Sequence, residues 1–351
     1  MAGADTFPGD RGRSLRWIDV LTAASSIGVV YLHCNLLFWT RPAGASGWLS
    51  NAIECIFYCC VPVFFMISGY TLLDFRKRYG TREFLVRRFQ RAGVPFLFWS
   101  VVFWFVMDGQ GGVKDLVLSV LNTTAMPIYW FFPPLFGCYV AILVLSQVGD
   151  RLKLFSFLAG LLLLTNSLLP FCEKVFHLGV SAAWKWPMGP EFVMFVLLGY
   201  LLGHARLERK GRWLVYGLGI LGFGAHFFGT WTLSPVGGPV SMVFKNYTNW
   251  PSVLYSSAVF VAFANADWEW LFAWRPVAWL VDRVKAASLS IYLLHGFFVY
   301  YLIPRHLPRI AGPDYGSSAV YRLLMPVALV GACVVLHCAI RRVPVVRRVL
   351  G

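Results

Sequence analysis

The sequence predicts an all-α polytopic membrane bundle of about ten helices, and three observations predict it. Hydrophobic residues form 58% of the chain and charged ones only 13%, a balance that a soluble surface of this size does not sustain. Apolar runs recur along the whole length with no polar segment long enough for a second globular unit. One membrane domain is therefore expected over 1–351, with a cytoplasmic leader at 1–16 and a basic cytoplasmic tail at 341–351. Finally, Lys and Arg fall between the runs in an alternating pattern.

Ten spans follow from hydropathy: 17–39, 52–73, 93–108, 128–148, 154–170, 190–204, 213–230, 250–266, 286–304 and 321–340. An even number puts both termini on one side, and that side collects 23 of the 31 Lys and Arg residues. By the positive-inside rule it is the cytoplasm, so the expected topology is N-in, C-in. The net charge of +15 is thereby assigned to the bilayer and not to nucleic acid.

The first span carries Asp19, Thr22, Ser26 and His33 within about 60° of one another on a helical wheel, a single polar stripe. Hydrocarbon cannot satisfy an imidazole or a carboxylate, so the stripe must face protein or water. Either His33 only hydrogen-bonds a neighbouring helix or the stripe lines a functional path. Ala43-Gly44-Ala45 after it resembles a signal-peptidase site, but the apolar run is too long for an h-region, and a retained helix is expected.

The second span has Glu54, Tyr58 and Ser68 on one face, a kink expected at Pro62 and a close helix contact at Gly69. In the basic segment that follows, Arg88 and Arg91 share a helical face ahead of Pro95. They are either orientation determinants against anionic headgroups or a phosphate clamp, since guanidinium forks bind phosphate bidentately. Trp130 in the fourth span is a belt or cavity residue. Glu191 starts the sixth as a helix cap or a cavity acid.

Gly217, Gly219 and Gly222 spell G-x-G-x-x-G. They lie inside an apolar run without a βαβ unit, so they predict close helix packing and no dinucleotide site. The external loop over 231–250, rich in Gly and Pro, is a possible substrate cover. Ser288, Tyr292 and His295 lie on one face of the ninth span, which places a second histidine within the membrane. His204, His226 and His337 lack such stripes and are read as structural. The eight cysteines show neither C-x-x-C nor His-Cys ligand spacing, so they predict apolar filling and no metal.

Taken in order, these residues resemble the acyltransferase 3 family of integral membrane proteins. The resemblance rests on Asp19 with Val29-Val30-Tyr31-Leu32-His33, on Phe64 to Tyr70, and on Arg88, Arg91 and Pro95. It continues through Trp130-Phe131 with Tyr139, Gly199-Tyr200-Leu201, and Ser288 or Ser290 with Tyr292 and His295. One departure stands out: the family's usual basic residue eleven positions before the histidine is Thr22 here.

The resemblance implies an O-acyltransferase of a multi-pass cell membrane, of the bacterial inner-membrane kind, with acyl-CoA (acetyl-CoA) as donor and a glycan or glycolipid as acceptor. No permanently bound cofactor is implied. In this picture His33 is the base, with Asp19 and Glu54 as catalytic companions. Arg88, Arg91 and Ser68 hold the CoA, and Tyr58, Trp130, Glu191, Tyr292 and His295 line the path. His33 lies about 24 Å along the helix from Trp17, so base and arginine pair sit at opposite membrane faces. Two rival readings use the same stripes: a non-catalytic transporter or flippase, and a carrier in which His33 and His295 relay protons.

Overall fold

The computed structural model describes residues 16–107, 109–149, 151–179, 181, 191–343 and 349; most of the expected leader and tail lie outside them. Among the described residues every regular element is helical. The α-helices are α1 (Arg16–Cys34), α2 (Gly44–Phe57), α3 (Cys60–Leu72), α4 (Thr81–Arg88), α5 (Val94–Val106) and α6 (Val113–Leu121). They continue with α7 (Phe132–Leu145), α8 (Arg151–Leu163), α9 (Leu169–Phe176), α10 (Val193–His204), α11 (Arg209–Leu233) and α12 (Trp250–Asn265). The last are α13 (Glu269–Ala273), α14 (Arg275–Ala286), α15 (Ser288–Phe297), α16 (Ile303–Ala311) and α17 (Ala319–Ile340).

Each expected span contains a helix, but their lengths differ. Among the described residues, seven helical stretches are long and apolar enough to cross a bilayer, or eight when α14 and α15–α16, bent by 70°, count as one. The sixth and eighth expected spans are α10, with 12 residues, and α12, with 16. At about 1.5 Å per residue α10 falls well short of a bilayer core. Its face from Val193 to Leu197 is buried by protein, so it need not match lipid thickness. Apolar side chains such as Phe105, Ile220, Val327 and Val335 cover the outside instead, as hydrocarbon contact requires.

α1 is the central element, packing against α2, α3, α12, α14, α15 and α17. Glycines set the closest contacts around it. A Cβ on Gly69 of α3 would stand 1.9 Å from the Val196 carbonyl oxygen of α10, and one on Gly199 would stand 2.0 Å from that of Met66. α11 and α12 meet in the same way through Gly219 and Gly222, whereas Gly217 faces open space. The G-x-G-x-x-G run is thus two packing positions and one outward one.

Proline accounts for the irregularities. Pro62 has no N–H for the Tyr58 carbonyl, and the helix breaks at Tyr58–Cys59, separating α2 from α3. Among the described residues three π turns, Phe89–Gly93, Leu164–Leu168 and Phe298–Leu302, each precede a proline by one residue: Pro95, Pro170 and Pro304. In each, the intervening residue donates its N–H five residues back, the wide ring that relieves the proline's clash with the carbonyl four before it.

Replacing Gly69 or Gly199 with valine should force α3 and α10 apart, at a cost of at least about 1–3 kcal/mol. Thermal unfolding in detergent should show a lowered midpoint for both variants and an unchanged one for Gly217→Val.

Candidate active site

The polar stripe of α1 finds its partners in register along a single stretch of chain. Asp19 pairs with Lys285 of α14 at 2.8 Å, and Ser26 Oγ lies 2.8 Å from Ser288 Oγ at the start of α15. His33 Nδ1 is 3.1 Å from the Tyr300 hydroxyl. The seven-residue spacing keeps all three on one side of α1, and Ala287, fully buried at the 70° bend, swings the partner chain from α14 onto that side.

At the His33 end two imidazoles meet. The rings of His33 and His295 are 5.1 Å apart, with Tyr292 6.0 Å from His295. His295 Nδ1 lies 2.7 Å from the Ile291 carbonyl. A carbonyl only accepts, so Nδ1 carries the proton and Nε2 of the neutral ring holds a lone pair. That Nε2 is buried and has no hydrogen-bond partner among the described residues. The Tyr292 hydroxyl donates to the Ile128 carbonyl, and Tyr129 donates to the Leu293 carbonyl at 3.1 Å, which ties α15 to the turn Pro127–Phe131.

Glu54 lies beside this centre but is engaged. Lys245 Nζ donates to its Oε1 at 2.6 Å, with both side chains almost wholly buried. The ammonium sits 3.7 Å from the centroid of Tyr58 and about 5 Å from those of Phe38 and Trp39. Tyr247 stacks on Tyr58 at 4.2 Å and on Trp130 at 5.6 Å. Burial, with Glu54 and Cys60 nearby, pushes the Tyr247 hydroxyl well up, so it remains a neutral donor. A second buried cation, Arg322, makes its bonds to Ser46, Ser50 and Ser317 with no carboxylate at ion-pair distance among the described residues.

The opposite end of α1 is basic. Arg88, half-buried at the end of α4, lies 5.9 Å from the ring centres of both Phe84 and Tyr139, and Arg91 follows in the π turn. On the same side a cleft of ≈310 Å³ is lined by Arg16, Trp17, Tyr70, Gly203, Trp268 and Glu269. Ser68 donates to the Phe64 carbonyl of its own helix at 2.9 Å. Glu191 lies exposed in the turn before α10.

Nine of the eleven expected residues thus fall into three groups. His33, His295 and Tyr292 form one centre; Glu54, Tyr58 and Trp130 join a second beside it; Arg88 and Arg91 mark the far end with Asp19. Sequence reasoning missed Tyr300, Tyr247, Lys245 and Arg322. Lys245 alone left a signal, as the one charge in the otherwise uncharged loop over 231–250. Of the histidines outside these groups, His226 lies 4.8 Å from Tyr58 with its ring tilted by 57°, and His337 Nδ1 lies 2.7 Å from Ser290 Oγ.

The model of one protein family, the acyltransferase domain of acyltransferase 3 proteins, matches residues 15–337. No curated protein and no solved structure matches the chain.

Lys245→Met strands the Glu54 carboxylate in the bundle and should destabilise the protein by about 3–5 kcal/mol. Adding Glu54→Gln to it removes the stranded charge and should recover most of that loss. Unfolding midpoints of the single and double variants read the difference.

Proposed function

Because the chain belongs to the acyltransferase 3 family of integral membrane proteins, we propose that it moves an acyl group, acetyl, from acyl-CoA to a hydroxyl of a cell-surface glycan or glycolipid. The observation that carries this reading is the imidazole pair. An alcohol attacks a thioester only if a base takes its proton, and a neutral histidine is suited to that at physiological pH. His33 is partly accessible where His295 is fully buried, so His33 is assigned as the base. When its Nδ1–H is given to Tyr300, Nε2 holds the lone pair that receives the acceptor's proton. The acceptor oxygen then bonds to the acyl carbon, the C–S bond breaks, and CoA leaves as the thiol once reprotonated.

The donor end follows from charge. Arg88 and Arg91 supply guanidinium groups for the CoA phosphates, and by the positive-inside rule their end of the bundle faces the cytoplasm, where acyl-CoA is made. Asp19, held by Lys285 at that end, and Glu54, held by Lys245, position the elements that carry the site and take no proton from substrate. The acyl group therefore has to travel along α1 from the arginines to His33.

Membranes containing the protein should transfer label from acetyl-CoA into the glycolipid fraction. His33→Ala at matched protein level should lower that transfer by about 10²-fold or more. Arg88→Ala should raise the KM for acetyl-CoA with kcat little changed, as expected for a binding contact. Wild-type membranes that incorporate no label from acetyl-CoA, given a competent glycolipid fraction, would overturn the reading.

A further inference from the structure

The ≈310 Å³ cleft opens where the first turn of α1, the ends of α3 and α10 and the connection between α12 and α13 meet. Its volume stands at the lower end of the roughly 300–1,000 Å³ usual for small-molecule sites. The rings of Trp17, Tyr70 and Trp268 wall it. Gly203 lets the Tyr70 ring lie against α10, since a Cβ there would stand 2.2 Å from that ring.

Two of these rings are set for a further contact. Trp17 and His204 meet Tyr70 at tilts of 57° and 44°, so neither lies flat on it. The Tyr70 hydroxyl has no hydrogen-bond partner among the described residues. Trp268 stacks on Phe263 at 4.9 Å, and its indole N–H donates to the Phe263 carbonyl at 2.8 Å. Stack and bond fix the indole at the cleft wall with Phe263 on one face only.

Charge selects the class of ligand. The lining holds the Arg16 guanidinium, paired with Glu269, and also Asp267, so two carboxylates stand against one cation and phosphate is disfavoured inside. The surroundings have the opposite sign. Lys77 and Arg78, a few residues beyond Tyr70, and Arg206, just beyond Gly203, are all exposed. Arg78 donates to the Thr71 carbonyl at 2.5 Å, and Lys77 lies 3.3 Å from Asp74, itself 3.8 Å from His204 Nε2. An aromatic, acidic interior thus has a cationic rim.

A neutral heteroaromatic ring that carries an amine and is tethered to phosphates matches this arrangement. The ring stacks on the aromatic faces, its amine donates to a carboxylate, a ring nitrogen accepts from the Tyr70 hydroxyl, and the phosphates stay at the rim. We propose that the cleft is the subsite for the adenine base of the acyl-CoA donor, with Tyr70 and Trp268 as its stacking surfaces. The identity of the donor rests on the acyltransferase reading. Ser68, expected to hold CoA, is bonded within its own helix, and Tyr70 two residues on takes that place.

The test measures equilibrium binding of adenosine, CoA and 4′-phosphopantetheine, the part of CoA without the nucleoside, to the full-length protein in lipid nanodiscs. Tyr70→Ala and Trp268→Ala should each weaken adenosine and CoA by about 5-fold or more, the effect of one lost base stack, and leave phosphopantetheine unchanged. Tyr70→Phe keeps the ring and should cost about 2- to 10-fold, one hydrogen bond. Unfolding midpoints near that of wild type show that the variants are folded. A wild type that binds no adenosine overturns the proposal, as do folded alanine variants that bind CoA as wild type does or lose CoA and phosphopantetheine alike. Acetyl transfer separates the two ideas. Trp268-dependent adenosine binding without transfer from acetyl-CoA leaves the subsite standing and counts against the acyltransferase reading. Transfer with an acetyl-CoA KM untouched by Trp268→Ala counts against the subsite alone.

Discussion

Hydrocarbon offers no hydrogen bonds, and that single constraint organises this protein. α1 carries a carboxylate, a hydroxyl and an imidazole at seven-residue intervals, each of which would cost several kcal/mol if left facing lipid. The chain meets the constraint by laying Lys285, Ser288 and Tyr300 along the same line. Because the contacts on α1 are evenly spaced and those on the partner are not, the partner must bend, and it does so at Ala287. The central position of α1 follows: the remaining neighbours close around a helix whose polar side has already been covered.

The same constraint explains why two buried cations coexist near the imidazoles. Lys245 is compensated by Glu54 and by the faces of Tyr58, Phe38 and Trp39, which replace water with carboxylate oxygen and π-electron density. Arg322 is compensated by neutral acceptors, three of them carbonyl or hydroxyl oxygens of serines around the start of α2. A guanidinium spreads its charge over five donors and tolerates that environment better than an ammonium would. Both arrangements tie surface-proximal segments to the interior and leave the imidazole pair in a fully built surrounding.

Much of the architecture was legible in the sequence, because hydropathy, the polar stripe of α1, the break at Pro62 and the close contact at Gly69 all report local rules. The pairing of His33 with His295 was implied by two stripes that both required protein neighbours. Tyr300 was not legible, for a definite reason. It lies five residues after His295, off the three-, four- and seven-residue spacings that share a helical face, and reaches His33 within the π turn Phe298–Leu302. Tyr247 and Lys245 were hidden differently: they sit in a loop with no period, and only the tertiary fold shows that the loop turns inward. Glu54 looked free as a lone acid on a polar face because its partner is 191 residues away.

The π turns have a mechanical consequence. A wide turn followed by proline removes a rung from the hydrogen-bond ladder, and the helix is more compliant there than on either side. Two of the three such turns fall at Arg91 and at Tyr300, the opposite ends of the route along α1. The stiff middle of the bundle therefore joins two soft ends. Small axial shifts of the guanidinium or of the phenol that holds His33 can be absorbed locally, without disturbing the glycine-tight seam between α3 and α10.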